Sequence, residues 1–211
     1  MIAIIGFRGI AMEPSDFIPL LSATARKHVE ERVGLKGEQL FSRGEAPRNM
    51  FYIISGEARL TRNSPAGAEV IFQRARRGFL AEASLDQPAY HCDGVIAEKT
   101  RLLVVPIADF RALLSNENVR ILWLRHLGNE LRRMRAQSER LALRSASDRI
   151  IHFIETEGRN GKLQLSQSKK SWAAELGLTH EALYRALRSM MENGTLRITG
   201  PCIEIVGAEF N

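Results

Sequence analysis

The sequence predicts an α+β fold in which an N-terminal β-barrel of jelly-roll type is followed by a long helix and a C-terminal winged helix-turn-helix. Three patterns carry the expectation. Between Gly34 and Pro106, short apolar runs are broken by Gly37, Gly44, Gly56, Gly67 and Gly78. Leu124, Leu127, Leu131, Met134, Ser138 and Leu141 then recur at alternating steps of three and four. Two short helical segments flank Gly177-Leu178, and an alternating tail follows them.

Taken in order, residues 15–33 read as a helix, with Ser22 as N-cap and Ala25, Val29 and Val33 along one face. The runs LKGEQLFSRGE, MFYIISGEARLT, EVIFQRA and DGVIAEKTRLLVVP are short and β-rich, and the glycines between them suit turns of a closed antiparallel module. Pro106 ends the last strand, and Asp109 opens a helical region. In its second part the leucine stripe has the a/d spacing of a two-stranded coiled coil. The stripe is narrow and flanked by arginine, whereas a helix packed on its own domain shows a wider apolar face, so a dimerisation helix is expected. Ser147-Asp148 restarts a helix, RIIHFIETEG, and RNGKLQLSQS supplies a loop and a short strand. SKKSWAAELG and THEALYRALRSMMENG are the next two helices, with Thr179 capping the second, and TLRITGPCIEIVG reads as a hairpin turning at Gly200-Pro201. The expected division is an N-terminal arm and barrel over 1–106, a dimerisation region over 107–144 and a winged helix-turn-helix over 145–211.

The 211 residues are enough for two modest cores, and 45% apolar with 26% charged residues is ordinary for a folded globular chain rather than a disordered one. A formal net charge of +6 suits a polyanionic partner. Arginines 120, 125, 132, 133, 135, 140 and 144 make the long helix basic as it leads into the C-terminal region. Cys92 and Cys202 stand far apart, so neither a disulfide framework nor a CxxC metal clip is expected, and a reducing cytoplasmic setting fits. The apolar opening MIAIIGFRGI lacks a basic flank and is too short to span a bilayer; it reads as a loosely packed arm, or as an extension ahead of a start at Met12.

A helix-turn-helix needs a small residue where its helices cross and a glycine able to take positive φ between them. Ala173 or Ala174 meets the first need and Gly177 the second. Leu176, Leu178, Leu183 and Leu187 would close the core beneath, leaving His180, Glu181 and Arg185 to face a major groove. Arginine donates to guanine O6 and N7, and glutamate accepts from cytosine N4. Glu181 and Arg185 are four residues apart, so they share one helical face and are placed to brace each other. Ser168, Lys169 and Lys170 open the preceding helix as candidates for phosphate contact, and Thr179 and Tyr184 complete the expected DNA-facing set.

From about Pro19 to Val206 the chain resembles the Crp/Fnr superfamily of transcription regulators, the group containing the cyclic-AMP receptor protein. The matching pieces are GEQLFSRGEAPRNMFYIISGEARL, the leucine-stripe helix and KKSWAAELGLTHEALYRALRSM. The resemblance implies a cyclic-nucleotide-binding-like barrel and a homodimer that binds double-stranded DNA at an inverted repeat, with RNA polymerase and a small effector as candidate partners. The family's recognition helix carries E-x-x-S/G-R, matched by Glu181 and Arg185, with Tyr184 in place of the usual small residue.

In nucleotide-binding members a Gly-Glu pair holds the ribose, and an Arg-Ser or Arg-Ala about nine residues later neutralises the phosphate. Here Ala81 precedes Glu82, and His91-Cys92 occupies the second place. A mostly neutral imidazole cannot replace a permanent guanidinium on a cyclic phosphate, so dependence on cyclic AMP is not expected. Glu82, Ser84, His91 and Cys92 remain the candidate effector residues, with the cofactor and any metal left open. Two alternatives stand beside this reading: a regulator without an effector, or a metal, haem or redox sensor using the His91-Cys92 region. The four-cysteine pattern of iron–sulfur members is absent, and no Ser-His-Asp set, P-loop or zinc spacing points to an enzyme.

Overall fold

The computed structural model describes residues 12–63, 69–165 and 167–207. The expected N-terminal arm at 1–11, the glycine break at Gly67 and Ser166 lie outside the described residues. Contacts divide the chain into two compact units that part at Leu127 and Gly128, within one long helix.

The first unit opens with α1 (Pro14–Phe17), a single 3₁₀ turn and α2 (Ala23–His28), and passes directly into β1 (Glu30–Gly34). Ser22 caps α2 as expected, its hydroxyl accepting from Ala25 N at 3.0 Å. The single helix expected over 15–33 is not formed. Val33 instead pairs with Arg101 in a sheet, and ladder bonds to a neighbouring strand outweigh the local helical spacing of Val29 and Val33.

Seven further strands follow: β2 (Gln39–Phe41), β3 (Asn49–Ser55), β4 (Ala58–Asn63), β5 (Glu69–Ala75), β6 (Gly78–Leu80), β7 (Asp93–Ile96) and β8 (Thr100–Pro106). They make two four-stranded antiparallel sheets, ordered β1-β8-β3-β6 and β2-β7-β4-β5. Both faces of β3 are buried. Phe51 and Ile53 join Phe41, Leu60, Ile96 and Leu102 in a core fed by both sheets. Met50 and Tyr52 point into a second core with Phe17, Phe79, Phe110 and Trp123. That second core is roofed by α1, α2, α3 (Ile107–Leu113) and the first turns of α4 (Glu117–Ala142), which is why MFYII reads as a continuous apolar run.

The second unit holds the rest of α4, then α5 (Ala146–Glu157), β9 (Lys162–Gln164), α6 (Lys169–Glu175), α7 (His180–Glu192), β10 (Leu196–Thr199) and β11 (Cys202–Ile205). Ser145, rather than the expected Ser147, caps α5, accepting from Asp148 N at 3.0 Å. The three strands pair as β10-β11-β9, giving the wing, and Ile150, Phe153, Trp172, Leu183, Leu187 and Ile203 form the core.

Gly177, between α6 and α7, has φ +64, and a Cβ there would stand 2.7 Å from Leu141 Cδ2. Gly194 also has positive φ, +77, yet nothing lies within 4 Å of its would-be Cβ. Gly194→Ala is therefore expected to lose about 1–2 kcal/mol through backbone strain alone. Gly177→Ala adds an overpacking loss of about 1–3 kcal/mol to that strain. Denaturant unfolding of both variants checks the order, and equal losses would remove the packing role of Gly177.

Candidate functional site

The candidate reading element is built by two caps and a crossing. Ser168 Oγ accepts from Ser171 N at 3.2 Å and starts α6; Thr179 Oγ1 accepts from Ala182 N at 3.1 Å and starts α7. Each hydroxyl keeps its proton to donate outward. Ala173 is the buried small residue at the crossing, while Ala174 is exposed. Leu176, Leu183 and Leu187 are fully buried and Leu178 partly so, which turns His180, Glu181, Tyr184 and Arg185 to solvent on one face of α7.

The expected brace between Glu181 and Arg185 is not formed among the described residues; the α7 pair that does form is Arg188–Glu192, at 2.8 Å. Tyr184 lies edge-on to His180 with ring centroids 4.6 Å apart, and the Lys169 ammonium sits 5.1 Å from the Tyr184 centroid. Lys169 thus links the two helices through a cation–π contact, and Lys170 is exposed beside it.

Two arginines support this element, Arg149, which the sequence reading did not name, and Arg140, which it counted only for its charge. Arg149 Nε donates to Leu143 O at 2.9 Å, Nη1 to the carbonyls of Leu176 and Gly177 at 3.1 Å each, and Nη2 to Leu141 O at 3.3 Å. Arg140, 1% exposed, lies 4.4 Å from the Phe153 ring centroid and donates to Thr156 Oγ1 at 3.1 Å. Both fix the end of α4 to α5, and Arg149 also reaches the turn. An isolated arginine in a basic helical stretch gives no sequence signal for such a role.

Along α4, Leu124, Leu131, Met134, Ser138 and Leu141 are exposed, Met134 to 67%. Ile121, exposed one turn before Leu124, extends that stripe. Leu127 is partly buried against the roofed core, so it serves its own unit as well as the stripe.

In the barrel, Ala81 adopts φ +62, keeping the left-handed turn for which glycine is the usual residue. Glu82 begins a 3₁₀ turn, its Oε1 3.4 Å from Gln73 Nε2, and Ser84 is buried. His91 is exposed, while Cys92, 1% exposed, is packed among Phe41, Leu60 and Tyr90, so in the bend before β7 one side chain meets solvent and the other the core. Neither residue is the arginine of the family's phosphate-binding motif.

The cyclic nucleotide-binding domain family matches residues 32–117. FixK2 from Bradyrhizobium japonicum is 21% identical with a TM-score of 0.60, over 85% of this chain and 93% of that one. The c-di-GMP responsive global regulator CLP of Xanthomonas campestris is 20% identical with a TM-score of 0.53, over 86% and 96%. A CRP-family transcriptional regulator from Thermus thermophilus is 16% identical with a TM-score of 0.53, over 83% and 91%. The chain has the Crp/Fnr fold. Comparison with curated proteins gives no match.

Within that Crp/Fnr barrel, burial pushes the Cys92 thiol above its ordinary pKa, against the opposing field of Arg62. A buried thiol with a raised pKa is a poor nucleophile. Cys202, in the wing, is partly exposed. An aromatic disulfide reagent is expected to label Cys202 first, with Cys92 about tenfold or more slower until the protein unfolds. Equal rates in the native protein would contradict the burial.

Proposed function

We propose that the protein is a homodimeric, sequence-specific DNA-binding transcription regulator rather than an enzyme, and that cyclic AMP does not control it. The observation that carries this reading is the solvent-facing set His180, Glu181, Tyr184 and Arg185 on α7, presented from a capped helix pair with Lys169 and Lys170 alongside. Arg185 and Glu181, unpaired with each other, are available to base edges, Arg185 to guanine and Glu181 to cytosine. Ser168, Lys169 and Lys170 serve phosphates, and Thr179 sets the register of α7 through its cap. The exposed stripe Leu124, Leu131, Met134, Ser138 and Leu141, with Leu127 at its edge, is the dimer seam.

Domain limits at 106 and 144 follow from this division of labour: a barrel that senses, a helix that pairs and a winged unit that reads. No described helix is long and apolar enough to cross a membrane. The two unpaired cysteines suit the reducing cytoplasm, where DNA and RNA polymerase are met.

Selection of binding sites from random DNA tests the reading. The wild-type chain is expected to select an inverted repeat with a G·C pair in each half-site. Arg185→Ala should lose about 1–3 kcal/mol on that site and relax one base position. Lys169→Ala and Lys170→Ala should weaken all sequences alike, each lowering the salt slope by about one. An Arg185→Ala protein with unchanged base preference would show that α7 is not the reader.

A further inference from the structure

We propose that Arg62, on β4, supplies the positive charge that positions 91 and 92 lack, and that the barrel's ligand is a small organic oxyanion with a flat apolar body. The proposal rests on the reading of the barrel as the sensing unit. Its ground is position: Thr61 pairs with Asp93 in the last rung of the β4–β7 ladder, and Arg62 follows Thr61 on β4, beside the segment that leads into β7. There the Arg62 Nη2 donates to the carbonyl of His91, the residue standing where a phosphate-binding arginine is missing. The guanidinium has come from the neighbouring strand.

Its remaining hydrogen-bonding capacity is unspent. Arg62 Nε is buried and has no hydrogen-bond partner among the described residues, and no carboxylate there forms an ion pair with Arg62. Neighbouring arginines differ: Arg59, Arg74 and Arg76 all converge on the carboxylate of Glu57 at 2.5–3.1 Å. The Asp93 carboxylate accepts from the backbone N of Arg43, at 2.9 Å, instead. A buried, charged N–H without an acceptor is destabilising, more so than a neutral one, and an incoming oxyanion removes that penalty.

The apolar part of the ligand is read from Phe72. Its ring lies 5.3 Å from the Arg62 guanidinium and 6.5 Å from the His91 ring, yet it remains 50% exposed. A flat body laid on Phe72 would cover that surface while its carboxylate or phosphate meets Arg62. A cyclic nucleotide fits less well. The imidazole of His91 faces solvent, and the Glu82 carboxylate that would take a ribose is engaged by Gln73.

Phenyl phosphate, benzoate and cyclic AMP are the probes, titrated into the full-length dimer by calorimetry and by NMR of arginine Nε–H groups. Phenyl phosphate or benzoate is expected to bind saturably and to shift the Arg62 Nε–H resonance, the choice between them telling phosphate from carboxylate. Arg62→Gln should weaken that binding about tenfold or more, Arg62→Lys less, and Arg74→Ala not at all. Failure of both aromatic anions to bind, or binding unchanged in Arg62→Gln, overturns the proposal. Arg62-dependent binding of cyclic AMP tighter than either anion overturns the ligand class. DNA binding of the same proteins is measured separately, so loss of the regulator reading is distinguishable from loss of the anion site.

Discussion

Arg149 donates from three nitrogens to the carbonyls of Leu141, Leu143, Leu176 and Gly177, and the geometry of the C-terminal unit depends on that convergence. The last carbonyls of any helix lack intrahelical donors, and here the end of α4 and the end of α6 share one guanidinium. Leu141 Cδ2 closes over Gly177, so a methyl group there would push the Leu141 side chain aside. A shift in the end of α4 is thereby felt at the turn that aims α7.

The barrel answers a different constraint, the placing of charge in a small double-sided core. Burial alone would raise the Glu57 carboxyl, but Arg59, Arg76 and Arg74 hold it below the ordinary carboxylate range. Three guanidinium groups around one carboxylate leave β4 and β5 rich in positive charge, and Arg62 continues that strand without a carboxylate of its own among the described residues. Cys92, by contrast, is held neutral by the apolar core around it.

What the sequence disclosed and what it hid divide along a physical line. Caps, turns and spacing are local, so the caps at Ser168 and Thr179 and the turn at Gly177 were readable, and each lies where that reading put it. Pairing across a ladder is not local. Nothing in the string RLTRN announces that Arg62 reaches His91, and nothing near Arg149 announces four carbonyls gathered from two distant segments. The same limit bears on the helix expected over 15–33: only Ala23–His28 forms the helix that Ser22 caps, and a partner strand far along the chain took residues 30–34. Leu127 belongs to the seam by spacing but is drawn partly into the roofed core, a distinction that no periodicity contains.

Joined through α4, two copies of α7 are proposed to read DNA together. Hydroxyl-radical footprinting on DNA selected by the wild-type chain tests this most directly, run beside a Leu124→Lys/Leu131→Lys variant. Two protected patches centred about one turn of B-DNA apart, roughly 34 Å, with loss of this paired protection in the variant, are predicted. A single patch with the wild-type chain, or a paired footprint that survives both lysines, would contradict it.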